Sequence, residues 1–203
     1  MDADVIAAMA HWPDVPACYG WLALDRRGRW RMRDDACQRL GLPGELIGNA
    51  TLRGFIDRNY LRDAAGAWFF QNGPQRVYVL LEAAPLVLFA HPGDAGPRLV
   101  THNGLAVSRL DRAAFDDAGR LWLVTEHGPG IVDDRDLAAL VDCLVDADGS
   151  APDPDRLAER CAAAPTGLRL RLAGAELPLE IVAAADAGAS FGFIADPSPA
   201  DPA

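Results

Sequence analysis

The sequence predicts an α+β fold with mainly antiparallel sheets built from consecutive hairpins, an internal repeat and a few packed helices. Three observations predict it. Strand-like runs follow one another across short turns instead of alternating with helices as a parallel sheet requires. Residues 63–82 hold two runs, 67–71 and 75–82, rich in aromatic and β-branched residues, on either side of Asn72-Gly73-Pro74. Gly and Asn tolerate positive φ there and Pro lacks a donor N–H, so the segment reads as a hairpin. Finally, an Asp-x-x-Gly turn followed closely by Trp recurs: Asp25, Gly28, Trp30; Asp63, Gly66, Trp68; Asp116, Gly119, Trp122.

Taken in order, residues 3–12 predict a short helix capped by Asp2 and ended by Pro13. Residues 19–24 and 28–33 predict two strands, and 40–50 a loop rich in Gly, Pro and Asn. A helix is expected over 51–61, where Leu52, Phe55, Ile56 and Tyr60 follow the 3.6 period, with Arg53, Asp57 and Arg58 opposite. After the central hairpin, strands are expected at 85–90 and 99–102. Asn103-Gly104 joins the second of these to 105–108 as a type I′ turn, both residues left-handed. A strand at 120–125 ends at Gly128-Pro129. Residues 135–145 predict a helix with an apolar stripe of Leu137, Leu140, Val141 and Leu144 after Asp133 or Asp134 as cap. Asp153-Pro154 opens a short helix to 164. A last hairpin, 168–173 with 177–182, turns at Gly174, and a strand at 189–194 precedes a Pro-rich tail.

The units so defined are an N-terminal helix (1–16), two repeat-related halves (17–92 and 93–148) and a C-terminal helix, hairpin and tail (149–203). A boundary near Gly149 is the alternative. The second and third turn units also share a later Gly-Pro, Gly73-Pro74 and Gly128-Pro129. Duplication accounts for this better than three independent uses of a common turn.

The chain has 203 residues, half of them hydrophobic, which suffices for one sizeable core or two small ones. A formal charge of −10 argues against general affinity for nucleic acid or an anionic membrane, leaving small molecules or proteins as partners, a second copy of the chain included. All 19 basic residues are Arg, which removes Schiff-base, pyridoxal and P-loop lysine chemistry. Cys18, Cys37, Cys143 and Cys161 lie far apart and read as buried thiols. No basic, apolar leader opens the sequence, and no uninterrupted apolar run is long enough for a span. A cytoplasmic location is therefore the expectation.

Gly188-Ala189-Ser190-Phe191-Gly192 matches the nucleophile-elbow pattern. No His lies beyond position 127, and a Gly-flanked strand end is the reading adopted. His11, His91, His102 and His127 are not spaced as metal ligands, so neither metal nor cofactor is expected. Arg27, Arg29, Arg31 and Arg33 alternate, and read as a solvated face paired with carboxylates or as an anion-binding face.

Gly54-Phe55-Ile56-Asp57-Arg58-Asn59-Tyr60, the block 66–82 and the ending Phe191-Gly192-Phe193-Ile194 resemble a proteobacterial family of uncharacterised proteins, over nearly the whole chain. The turn-Trp units more loosely resemble a second uncharacterised bacterial family, of duplicated α+β motifs, for which signalling or ligand sensing has been suggested. The resemblance implies an α+β fold with repeats and brings no catalytic residue.

The leading functional expectation is a non-enzymatic module that binds a small ligand or a protein, with Asn72, Arg76, Tyr78 and His102 as ligand-binding residues. The alternative is an enzyme of unfamiliar type using Gln71, Asn72, Arg76, His102 and His127. Arg76 either pairs with Asp57 or Asp63 or faces an opening beside Asn72 and Tyr78 where its fork can grip an anion.

Overall fold

The computed structural model describes residues 1–94, 96–161 and 166–199. In chain order the elements are α1 (Ala3–His11), β1 (Cys18–Leu24), β2 (Trp30–Met32), α2 (Asp35–Leu40), β3 (Glu45–Leu46), α3 (Ala50–Arg58), β4 (Tyr60–Arg62), β5 (Trp68–Asn72) and β6 (Gln75–Leu81). There follow β7 (Leu86–His91), β8 (Arg98–Thr101), β9 (Leu110–Asp116), β10 (Leu121–Thr125), β11 (Gly128–Val132), a 3-10 helix (Asp134–Cys143) and β12 (Leu144–Asp146). The last are α4 (Pro154–Cys161), β13 (Leu168–Leu172), β14 (Ala175–Val182), a 3-10 turn (Ala184–Asp186) and α5 (Ala187–Phe191). This is the α+β class expected from the hairpin pattern.

The chain divides into two compact units. The first is Met1–Pro85 together with the segment from Phe193 on; the second is Leu86–Gly192. In the first, a six-stranded sheet runs β3-β2-β1-β6-β5-β4. Ile194 bridges Ala67, and Ala195 O accepts the Leu81 N–H at 2.8 Å, so the C-terminal segment closes onto this unit. In the second, an eight-stranded sheet runs β12-β13-β14-β9-β10-β11-β7-β8.

The pairings carry the repeat further than the turn spacing does. In the first unit β4, β5 and β6 form an antiparallel meander, β6 lies parallel to β1, and β1 pairs antiparallel with β2. In the second unit β9, β10 and β11, then β7, then β8 repeat that arrangement strand for strand. Asp63 and Asp116 stand at equivalent turns, β4–β5 and β9–β10.

All three Asp turns share one hydrogen-bond scheme. The Gly N–H donates to the Asp carbonyl at 2.9, 3.2 and 2.9 Å for Asp25, Asp63 and Asp116. The Gly residues sit at φ +72°, +90° and +77°, where a Cβ would be strained. Each Asp Oδ1 accepts the N–H groups two and four residues on, at 2.9 to 3.0 Å. This is a type I turn closed by a left-handed Gly. The tryptophans after these turns are core residues as expected: Trp30, Trp68 and Trp122 are 2%, 5% and 0% exposed.

Several expectations are corrected. Asn103 is not left-handed: Gly104 (φ +85°) closes the same three-residue turn, with Thr101 as the first residue. The Thr101 hydroxyl accepts the Leu105 N–H at 2.9 Å, doing the work of the Asp carboxylate elsewhere. Residues 105–108 form no strand, and Ala106 makes a single bridge to Val100. The type I′ turn lies instead at Ala173 (φ +51°) and Gly174 (φ +74°), between the paired Leu172 and Ala175. The expected helix over 51–61 stops at Arg58, because Tyr60 and Leu61 pair with Phe70 and Phe69 in β4. Asp2 does not cap α1 with its side chain, which Arg58 engages at 3.1 Å. Gly128-Pro129 opens β11 rather than ending a strand. The expected helix over 135–145 is a 3-10 helix, with Asp133 as cap. Residues 189–194 are not a strand: 187–191 are helical and Gly192 is the left-handed cap at φ +70°. Of the four thiols only Cys143 is fully buried; Cys18, Cys37 and Cys161 are half-buried. The end of the helix expected to 164 and the last four residues of the tail lie outside the described residues.

Candidate functional site

The first unit holds a cleft of about 310 Å³ between α3 and the sheet. Asn49 starts α3 by accepting the Leu52 N–H at 3.0 Å through Oδ1. Leu52, Phe55 and Ile56 then fall on one face at helical spacing, and all three line the cleft. Phe55 meets Phe70 of β5 edge to face, with centroids 5.3 Å apart at 87°. From the sheet come Phe70, Asn72, Gln75 and Val77, whose alternation along β5 and β6 places them on one side. Cys18, Trp21 and Leu22 of β1 and Met32 of β2 complete the wall.

The wall of β1 depends on an irregularity. Cys18 pairs with Val77 and Leu22 with Val79, so four residues of β1 span what two of β6 span. Gly20, at φ +78°, sits in this bulge. The extra residues let the consecutive Trp21 and Leu22 both reach the cleft. Trp21 and Met32 remain 43% and 46% exposed, unlike the other apolar side chains of that sheet face.

Asn72 and Gln75 stand opposite each other in register at the end of the β5–β6 hairpin. Gly73, at φ +57°, followed by Pro74 makes the two-residue turn between them. Gln75 Nε2 donates to Pro16 O at 3.1 Å. The exposed Asn72 amide makes no hydrogen bond among the described residues.

The other residues expected at a site lie elsewhere. Gln71, Arg76 and Tyr78 project from the opposite side of the same hairpin. Gln71 is buried; its Nε2 donates to Gly73 O at 2.8 Å, and its Oε1 has no partner among the described residues. The Arg76 guanidinium lies over the Phe69 ring, 4.8 Å from its centroid. It pairs with neither Asp57 nor Asp63, since Asp57 accepts from Trp30 Nε1 at 2.7 Å and Asp63 from the Tyr78 hydroxyl at 3.0 Å. Tyr78 stacks on Tyr19 at 4.7 Å. Burial, then the Asp63 carboxylate, raises its phenol pKa. Burial likewise raises the Asp57 carboxyl, against the pull of the Trp30 N–H.

His102 and His127 belong to the second unit, and both are half-buried. His102 Nδ1 accepts the Val87 N–H at 3.3 Å, and the backbone N–H of His102 donates to Val87 O at 2.7 Å. His127 Nε2 lies 2.9 Å from Ala106 O, so that nitrogen carries the proton. The alternating arginines are largely structural. Asp25, buried, accepts Arg29 Nε at 2.8 Å and Arg31 Nε at 3.0 Å, while Arg33 donates to the carbonyls of Leu42, Gly20 and Cys37. Burial pushes the Asp25 carboxyl up, but the N–H groups of Arg29 and Arg27 and the two guanidinia outweigh it and hold it below its ordinary value.

Of the residues expected from the sequence to bind a ligand, Asn72 alone lines this cleft, and Cys18, Trp21, Met32 and Gln75, which line it too, were not among them. The one available signal was Gly20, which in a strand marks a bulge. Among the described residues no group of three His, Cys, Asp or Glu side chains could hold a metal ion. No helix there is long and apolar enough to cross a membrane.

None of the curated proteins matches the chain. Among solved structures, a DUF1285 family protein from Silicibacter pomeroyi is similar at 16% identity and a TM-score of 0.51, covering 88% of this chain and 95% of that one. A second DUF1285 family protein, from Shewanella baltica, is similar at 16% identity and a TM-score of 0.42, covering 58% of this chain and 87% of that one. At these identities the first likeness speaks to the fold alone. Residues 1–198 match the family model described as "Protein of unknown function (DUF2946)", and the chain belongs to that family.

Proposed function

We propose that the protein is a non-enzymatic small-ligand-binding module, located in the cytoplasm, and that the cleft between α3 and the first sheet receives the ligand. The observation that carries this is an open apolar cleft of about 310 Å³ with an uncommitted carboxamide, Asn72, at its edge. Ligand pockets have this make-up, mostly apolar walls with a few fixed polar groups, and this volume is at the small end of their range. Binding of that kind suits a regulatory or signalling role. The polar residues of the enzymatic alternative are divided between two faces of one hairpin and the second unit, which lends that alternative no support.

Native mass spectrometry of the purified protein, with the released small molecules identified, tests the proposal. A stoichiometric adduct lost on Phe55→Trp, which narrows the cleft, is the expected result. An adduct that survives this change unaltered places the ligand elsewhere.

A second reading rests on the exposure of Trp21 and Met32, at 43% and 46%, on the neighbouring strands β1 and β2. Such residues suit a protein partner or a second copy of the chain. Light scattering of wild type and Trp21→Ser checks it: a dimer that becomes a monomer favours this reading over the ligand cleft.

A further inference from the structure

We infer that the cleft takes an uncharged amphiphile whose polar end is a carboxamide or a group with the same paired donor and acceptor. This rests on the cleft being the ligand site. The lining contains no Asp, Glu, Arg or His. An ionised ligand group brought against these walls loses hydration and finds no opposite charge, and the cost exceeds what dipoles alone return. A carboxylate is further disfavoured by the net charge of −10.

The polar end is specified by Asn72 and Gln75. Each amide carries an acceptor oxygen and two N–H donors. Because Gln75 Nε2 is held on Pro16 O at 3.1 Å, the orientation of this amide is set and its Oε1 remains as an acceptor. Asn72, directly across the hairpin, offers both functions. A ligand amide answers this pair with an N–H for one and a carbonyl for the other. A carboxylate has no N–H to give, and an ammonium has no acceptor.

The apolar body of the ligand meets Leu52, Phe55, Ile56 and Phe70 on one side and Trp21 and Met32 at the mouth. Methionine adapts its shape without a rigid rotamer demand, so the mouth accommodates different tails while the amide end stays constant.

The test uses three molecules with one tail, octanamide, octanoate and octylamine, added to the full chain at neutral pH. Trp21 fluorescence, identified by its loss in Trp21→Phe, and the alkylation rate of Cys18 read by peptide mapping report occupancy of the cleft. The expected result is octanamide binding at least about tenfold more tightly than either ion, with slowed alkylation of Cys18. Asn72→Ala, at an exposed position, weakens octanamide several-fold without changing the melting temperature. Octanoate or octylamine binding as tightly as octanamide, with the same two reporters responding, overturns the amide inference and leaves the cleft as the site. Failure of all three to move either reporter overturns both.

Discussion

The indole Nε1 of Trp122 donates to Asp116 Oδ2 at 2.8 Å, so the aspartate that closes the β9–β10 turn also satisfies the tryptophan buried six residues later. Trp30 and Trp68 stand five residues after their turn aspartates, and side chains alternate along a strand, so theirs project to the other side. Trp30 Nε1 reaches Asp57 of α3 at 2.7 Å, whereas the buried Trp68 Nε1 makes no hydrogen bond among the described residues. Trp122→Phe therefore leaves a buried carboxylate short of a donor, and is expected to cost about 2 kcal/mol more than Trp68→Phe in urea unfolding. Equal losses for the two substitutions count against the asymmetry. Trp68→Ala empties core volume and should cost about 3 kcal/mol or more.

Asp116 holds its turn through Oδ1 and binds Arg120 Nε and Trp122 Nε1 through Oδ2, at 2.6 and 2.8 Å. Asp116→Ala strips four donors of their acceptor and is expected to destabilise the second unit by about 3 kcal/mol or more. Asp63→Ala loses the turn contacts and the Tyr78 hydroxyl only, and should cost less. Chemical denaturation of the two variants side by side measures the difference.

Glu126 accepts the Ser108 N–H and hydroxyl, both at 2.7 Å, and the Arg109 N–H at 3.3 Å. Desolvation works to raise its carboxyl, but these donors outweigh it and lower the pKa from an ordinary 4.5 to about 2. A depressed folded-state pKa means the carboxylate stabilises fully above the unfolded value. That contribution declines as pH falls from about 4.5 towards about 2. Glu126→Gln should flatten the stability-against-pH curve in this window and leave its slope above pH ~6 unchanged. An unchanged acid limb would show that the loop 102–109 is not held by this carboxylate.

At the β8 turn, Gly104 has φ +85° and Asn103 has not left the usual region. Gly104→Val should cost about 1 kcal/mol or more through backbone strain. Asn103→Gly should bring no gain, since a type I′ turn is not present to favour it. A stabilised Asn103→Gly variant, seen as a raised melting temperature, would contradict this geometry.

The hairpins, the three turn aspartates and the buried tryptophans could be read from local pattern, because turn chemistry and strand alternation act within a few residues. The repeat was legible in Asp63, Gly66, Asp116 and Gly119, yet its extent was not, since the parallel pairings of Leu22 with Val79 and Val87 with Ile131 depend on distant partners. Tyr60 shows the same limit: its helical spacing suited α3, but pairing with Phe70 drew it into β4. The short helix at Ala187–Phe191 was hidden by its two glycines, Gly188 within its first turn and Gly192 as its left-handed cap. The cleft was legible at Asn72 alone, because its wall needs a bulge in β1 that carries no strong signal beyond Gly20.

The closure of the first unit by Ile194 and Ala195 bears on synthesis. A ribosome delivers all of Leu86–Gly192 before it delivers the residues that pair with Ala67 and Leu81. The host therefore completes its pairing no earlier than the inserted unit is fully delivered, and what waits is the end of β5 and β6 remote from the Asn72–Gln75 turn. The host is thus expected to acquire protease resistance only in chains that already contain the whole inserted unit, although most of its own residues are made first.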